Sequence, residues 1–171
     1  MSILKRDFYS RNACQVAREL LGMRLVRFMD GQRVSGMIVE TEAYREGDAA
    51  SHAHNGRTPR NTPMWETPGL SYVYLTYGMH WLLNAVVESE NATAAVLIRA
   101  IEPIEGLDII AENRKGRPPR EWTNGPARMT AALNIAVDQN QIDLTAKTNG
   151  LWIEAADSIA DSEVCTGARI G

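Results

Sequence analysis

One stretch constrains the fold more than any other: Gly36-Met37-Ile38-Val39-Glu40-Thr41-Glu42-Ala43-Tyr44. It begins with the apolar alternation of a half-buried β-strand. It then sets two carboxylates and a tyrosine where the strand should be running into a core. In an extended chain, side chains two apart share a face, so Glu40, Glu42 and Tyr44 point one way and Thr41 and Ala43 the other. A carboxylate on the inner face of an apolar strand is unfavourable unless it is hydrogen-bonded or used in chemistry. On a solvated face it needs no explanation. From these residues alone, both readings stand.

The neighbouring sequence supplies the strand's partners. Asp30-Gly31 between two apolar runs is a type I′ hairpin signal that pairs residues 23–29 with residues 32–44. Ahead of it, Ser10 is the expected N-cap of a helix over 12–21, with Ala13, Val16, Ala17, Leu20 and Leu21 on one face and Gly22 to end it. Residues 45–70 show no periodicity and are rich in Gly, Pro, Asn and Arg. A loop of that length inside a domain is functional or disordered. Its two histidines, His52 and His54, lack a convincing set of further ligands, so no zinc site is expected.

Residues 71–77 and 81–87 then read as a hairpin with Tyr77, Met79 and His80 at or near its tip. Tips normally carry small polar residues. Either another element buries this one, or it is a wedge for unstacking bases. Residues 94–101 form an apolar strand interrupted by Arg99, and a helix is expected over 103–113 with Pro103 in its first turn. Residues 114–120, which include Pro118-Pro119, read as loop. A short helix opens at Asn124-Gly125-Pro126 and runs to 133, its first amides open to an anion such as a DNA phosphate. A last short strand covers 151–154.

Composition narrows the function classes. A chain of 171 residues, 44% hydrophobic and 23% charged, makes one domain with a core of its own. There is no apolar run long enough to span a membrane, and the first residues lack the apolar core of a signal peptide. Cys14 and Cys165 suggest neither a disulfide framework nor a metal knuckle, which points to a reducing cytoplasm. The net charge of −3 and pI near 5.6 argue mildly against nucleic acid. The charge is uneven, however. Lys5, Arg6, Arg11, Arg18, Arg24 and Arg27 crowd the start, Arg114, Lys115, Arg117, Arg120 and Arg128 form a second basic cluster, and the last forty residues are acidic. A DNA-facing side on an acidic protein and a solvated surface with no partner both fit this distribution.

Read as a set, the motifs resemble the alkyladenine (3-methyladenine, methylpurine) DNA glycosylase family. The stretches that carry the likeness are Ala17-Arg18-Glu19-Leu20-Leu21-Gly22, Val39-Glu40-Thr41-Glu42-Ala43-Tyr44, Ala50-Ser51-His52, and Arg57-Thr58-Pro59-Arg60-Asn61. Further on come Pro68-Gly69, Tyr72-Val73-Tyr74-Leu75-Thr76-Tyr77-Gly78-Met79-His80, Asn84, Val96 through Pro103, and Asn124-Gly125-Pro126-Ala127. They follow the family's order and cover nearly the whole chain. The loop Arg45-Glu46-Gly47-Asp48 is slightly shorter than in the family, which could shift His52. The family also continues past the point where this sequence ends, Ala168-Arg169-Ile170-Gly171, into a segment with a Trp-Arg-Phe-type strand. Its lack is expected to leave a sheet edge open or a core face bare.

The resemblance implies a single α+β domain: a curved, partly barrel-like antiparallel sheet flanked by helices, with a protruding β-hairpin. It implies a monofunctional glycosylase of base excision repair that flips alkylated, and also deaminated, purines out of duplex DNA and leaves an abasic site. Glu42 would activate the attacking water, with Arg99 holding that water or the adjacent phosphate. Tyr44, His52, Tyr74 and Asn84 would form the base pocket, with the Asn84 amide crowding the 2-amino group of guanine. Tyr77 would fill the gap in the duplex, with Met79 and His80 beside it. Glu40 would be structural. No metal or organic cofactor is implied, and the only partner is double-stranded DNA containing damaged purines, bound by a monomer without a membrane. The protein would act in the cytoplasm of a bacterium or the nucleus of a eukaryote. Two rivals use the same scaffold: a damage-binding module that flips bases without cutting, and an RNA-binding or assembly protein.

Overall fold

The Asp30-Gly31 pair takes the left-handed conformation a type I′ turn requires, with φ of 51° and 76°. It joins β1 (Arg24–Met29) to β2 (Gln32–Tyr44) as the spacing predicts. In the computed structural model, which describes residues 1–89 and 92–169, these two strands sit inside one antiparallel sheet. The other strands are β3 (Ser71–Thr76), β4 (His80–Val87), β5 (Ala94–Glu105) and β6 (Leu151–Glu154), in the order β3-β4-β5-β2-β1-β6. The sheet curls into a half-barrel with helices against it, the α+β architecture the resemblance implies. Ile170 and Gly171 lie outside the described residues. No helix among the described residues is long and apolar enough to cross a membrane.

Alternation along the strands divides the sheet into two faces. Val73, Leu83, Ala85, Val87, Ala94, Val96 and Ile98 pack into the main core, beneath α2 (Ala13–Leu20) and α4 (Pro126–Ala132). Tyr72, Val86 and Ala95 face the other way and join Ala53 and Met64 of the long loop in a smaller cluster. That loop is not loose. Asn61 is buried at its centre, its Nδ2 donating to the His52 and Gly56 carbonyls (2.7 and 3.0 Å) while its Oδ1 accepts from the Thr58 amide (2.7 Å). The loop thus forms the wall of a site rather than a disordered tether.

The problem set by β2 is solved by an irregularity shared with β5. Ile38 pairs with Ile101, Glu40 with Ala100 and Thr41 with Ile98, so Val39 and Arg99 both drop out of the ladder. Each strand changes face there, as a bulge makes it do. Before the break Ile38 and Ile101 point into the core; after it Ala43, Val96 and Ile98 do, and the Thr41 hydroxyl donates to the Ala17 carbonyl of α2 (2.8 Å). Without the break Glu40, Glu42 and Tyr44 would follow Ile38 under the helices. Burying a carboxylate there without partners costs several kcal/mol, and the break avoids it.

Two local expectations are corrected. Ser10 does not cap the helix: it closes a single-turn helix that the pattern did not predict, α1 (Arg6–Tyr9), its hydroxyl donating to the Arg6 carbonyl (3.0 Å). Asn12 is the cap of α2, its side-chain oxygen accepting from the Cys14 amide (3.0 Å). Pro103 begins no helix. It lies in β5 opposite Gly36, and α3 (Leu107–Asn113) starts only after Gly106, whose φ is +72°. A proline is tolerated there because β4 pairs only with residues 94–97 of β5, leaving one side of the strand free of ladder bonds at Pro103. Gly36 permits the close approach, since a Cβ on it would meet the Glu102 carbonyl oxygen at 2.7 Å.

Candidate active site

On the sheet face away from the helices, β2, β3, β4 and β5 together with the long loop enclose a cavity of about 500 Å³. Two neighbouring strands contribute through alternation: Glu42 and Tyr44 from β2, and Ala95, Leu97 and Arg99 from β5. Tyr72 and Tyr74 come from β3, Leu82 and Asn84 from β4, and Ala50, His52 and Met64 from the loop. Pro126 and Ala127, at the start of α4, complete the lining. A flat heterocycle fits a space of this size between aromatic walls.

The Glu42 carboxylate is 8% exposed and both of its oxygens are engaged. Arg99 Nη1 lies 3.1 Å from Oε1, and the Tyr44 hydroxyl donates to Oε2 (2.8 Å). Burial first, then the hydrogen bond to Glu42 and its charge, push the Tyr44 phenol well above its ordinary value, so it remains a donor. Arg99 also donates through Nε to Glu40 Oε1 (3.0 Å). Glu40 is half exposed and does not line the cavity; it steadies the arginine from behind. A carboxylate oxygen accepts more than one hydrogen bond, so Glu42 retains acceptor capacity towards the cavity.

His52 packs edge-on against Tyr74, ring centroids 4.4 Å apart, and its Nδ1 shares a hydrogen bond with the Tyr72 hydroxyl (2.9 Å). Burial, and then the charge of Arg60, hold its imidazole below the ordinary value, so the ring is neutral at neutral pH. The shorter loop has therefore not carried His52 out of the cavity. Asn84 is buried, and its Nδ2 donates to the Tyr72 carbonyl (3.1 Å), which fixes the plane of the amide at the cavity wall.

The hairpin tip is not covered by another element. Tyr77 is 90% exposed and Met79 68%, and His80 beside them is also exposed. Tyr77 has a φ of 51°, an unfavourable conformation for a bulky side chain, and Gly78 follows at 68°. Tyr77 and His80 both reach the cavity rim. The site residues that sequence reasoning singled out thus fall into two adjoining groups, the cavity and the tip above it.

Sequence reasoning missed Ala50, Met64, Tyr72, Thr76, Leu82, Ala95, Leu97, Pro126 and Ala127 as lining residues. Ala95 and Leu97 were accessible to it, because they lie four and two residues before Arg99 on one strand and share its face. Met64 carried no signal; it sits in an aperiodic segment that a single turn of helix, Thr62–Trp65, brings over the sheet. Among the described residues no group of three or more His, Cys, Asp or Glu converges as a metal site.

Comparison with known proteins adds to this geometry. A family described as methylpurine-DNA glycosylase (MPG) matches residues 7–171. Three similar proteins are each named, provisionally, a 3-methyladenine DNA glycosylase. That from Carboxydothermus hydrogenoformans is 44% identical over 99% of this chain and 88% of its own length. That from Chlorobium phaeobacteroides strain BS1 is 42% identical over all of this chain and 86% of its own length. That from Methanocella arvoryzae is 45% identical over all of this chain and 85% of its own length.

Proposed function

The chain belongs to the methylpurine-DNA glycosylase family of DNA-repair enzymes, and from that premise we propose that it excises N-alkylated and deaminated purines from duplex DNA by base flipping and hydrolysis. The observation that carries the reading is the buried Glu42 carboxylate, held by Arg99 and Tyr44 at the wall of an aromatic cavity. A base within a duplex is out of reach of such a group, so the nucleotide must rotate out of the stack. Tyr77, exposed at the tip, fills the gap, with Met79 and His80 beside it.

The flipped purine stacks between Tyr44 on one side and Tyr74 with His52 on the other. Rings with electron-rich faces favour the positive charge of an N-alkylated purine. The fixed Asn84 amide crowds the 2-amino group of an ordinary guanine and so selects against it. Glu42 accepts a proton from a water whose oxygen bonds to C1′ as the glycosidic bond breaks, and the bonding electron pair leaves with the base. Until that proton arrives, the negative charge of the Glu42 carboxylate faces the oxocarbenium-like sugar, and Arg99 orients the carboxylate. A cationic purine leaves as the neutral free base, a deaminated one as an anion that takes a proton from solvent, and an abasic site remains. No lysine is among the described residues lining the cavity, so the reading carries no Schiff-base step and no strand cleavage.

Single-turnover release of base from duplexes carrying one 3-methyladenine analogue, ethenoadenine or hypoxanthine tests the reading, with wild type and Glu42→Gln compared. Release by wild type, lost in the variant while lesion binding persists, is the expected outcome. Lesion binding without release by either protein would make the chain a non-catalytic flipper. Preference for single-stranded RNA over lesion duplex would remove the repair reading.

A further inference from the structure

Two arginines outside the cavity touch its two aromatic walls. The guanidinium carbon of Arg60 lies 5.1 Å from the Tyr74 ring centroid, and that of Arg169 4.6 Å from the Tyr44 centroid. Both rings line the cavity and neither arginine is among the lining residues, so each cation reaches its ring from outside the lining. Both cations are anchored. Arg60 donates to the Leu75 carbonyl (2.8 Å). Arg169, on the arm that follows β6, donates to the Ala43 carbonyl (2.8 Å) and pairs with the Asp48 carboxylate through both terminal nitrogens. One site is thus backed from two distant parts of the chain.

An aromatic face attracts a cation through its negative potential. A guanidinium already seated on one face draws on that potential and adds its own repulsion, so a second cation on the opposite face is held more weakly. A neutral purine stacks mainly through dispersion and apolar burial and is little affected. We infer that Arg60 and Arg169 are specificity-determining residues that back the stacking rings and lower the cavity's preference for cationic over neutral purine lesions. Asp48 offsets the charge of Arg169, whereas among the described residues no carboxylate makes an ion pair with Arg60. Arg60 therefore has the larger effect.

This inference rests on the glycosylase reading. The test measures single-turnover release of 7-methylguanine, cationic in the nucleotide, and of hypoxanthine, neutral, from otherwise identical duplexes at saturating enzyme. Wild type is compared with Arg60→Met, Arg169→Met and Arg60→Lys. The ratio of the two rate constants, 7-methylguanine over hypoxanthine, is expected to rise about threefold or more in Arg60→Met. It rises less in Arg169→Met and stays close to wild type in Arg60→Lys, which keeps the charge. Because each ratio comes from one preparation, partial loss of folded protein cancels. Equal changes in both rates, or a ratio that moves in neither Met variant, would overturn the inference and leave the glycosylase reading intact. Wild type releasing neither base would overturn both.

Discussion

Replacing Glu154 with Gln should remove one defined part of the acid sensitivity of the folded state. Glu154 lies on β6, 3% exposed, and accepts two hydrogen bonds from Arg33 (3.0 and 2.7 Å) and one from the Trp152 indole N–H (2.9 Å). The Arg33 hydrogen bonds outweigh the opposing effect of burial, with Trp152, the Arg33 charge and Lys147 adding to them, and hold the carboxyl at about 2 against an ordinary 4.5. The folded value lies below the unfolded one, so the unfolded chain binds the proton more readily. The contribution is therefore complete above the ordinary carboxylate range and is lost as pH falls through 4.5 towards 2. A difference of about 2.5 units, at about 1.4 kcal/mol per unit, amounts to about 3 kcal/mol at pH 7 and about half of that at pH 3. Urea unfolding of wild type and Glu154→Gln, followed by circular dichroism between pH 7 and pH 3, measures the gap directly. The gap is expected to narrow by about 2 kcal/mol over that range. A gap that stays constant would refute the assignment, because it would mean that Glu154 titrates alike in both states. The site is involved too, since Arg33 is on the strand that carries Glu42.

Three further outcomes follow from the site. Arg99→Met leaves the buried Glu42 without its ion-pair partner, so excision should fall steeply and folding stability should drop by about 3–5 kcal/mol, measured by base release and by denaturant unfolding. Because His52 is held below the ordinary imidazole value by burial and by Arg60, base release should hold as pH falls through that ordinary value and decline only below it. A pH–rate profile of His52→Gln should lack that acid limb; an unchanged profile would assign it elsewhere. Tyr77→Asn puts a residue that tolerates the left-handed conformation at a position 90% exposed. Thermal unfolding should show a gain of up to about 1 kcal/mol while lesion-duplex affinity falls.

What could be read from the sequence was what short range decides. Asp30-Gly31 fixes its turn through two backbone conformations, and the strands on either side inherit their register from it. Ser10 and Asn12 were harder to separate, because both are good caps and only the preceding turn of α1 claims Ser10. Pro103 misled for a related reason: it opens helices, but it also fits a strand where one side lacks a neighbour, and that depends on how far β4 extends. The arginines behind Tyr44 and Tyr74 come from segments with no periodicity, so no pattern pointed to them.

The phase of β2 shows where reading one strand at a time reaches its end. Its residues put Glu40, Glu42 and Tyr44 in step with Ile38, a conflict that β2 taken alone leaves open. β5 carries the matching anomaly, Arg99 amid apolar residues, and the two strands drop one residue each at the same place. Polar side chains that look misplaced on two strands become a single Arg99–Glu42–Glu40 cluster once the strands are paired. The break that keeps these charges out of the core is also what turns Glu42 and Arg99 into the cavity. Stability and chemistry therefore make the same demand on this pair of strands. Substituting Glu42 and Arg99 together by apolar residues should relieve the folding constraint and abolish excision at once, a separation that thermal unfolding and base release would show side by side.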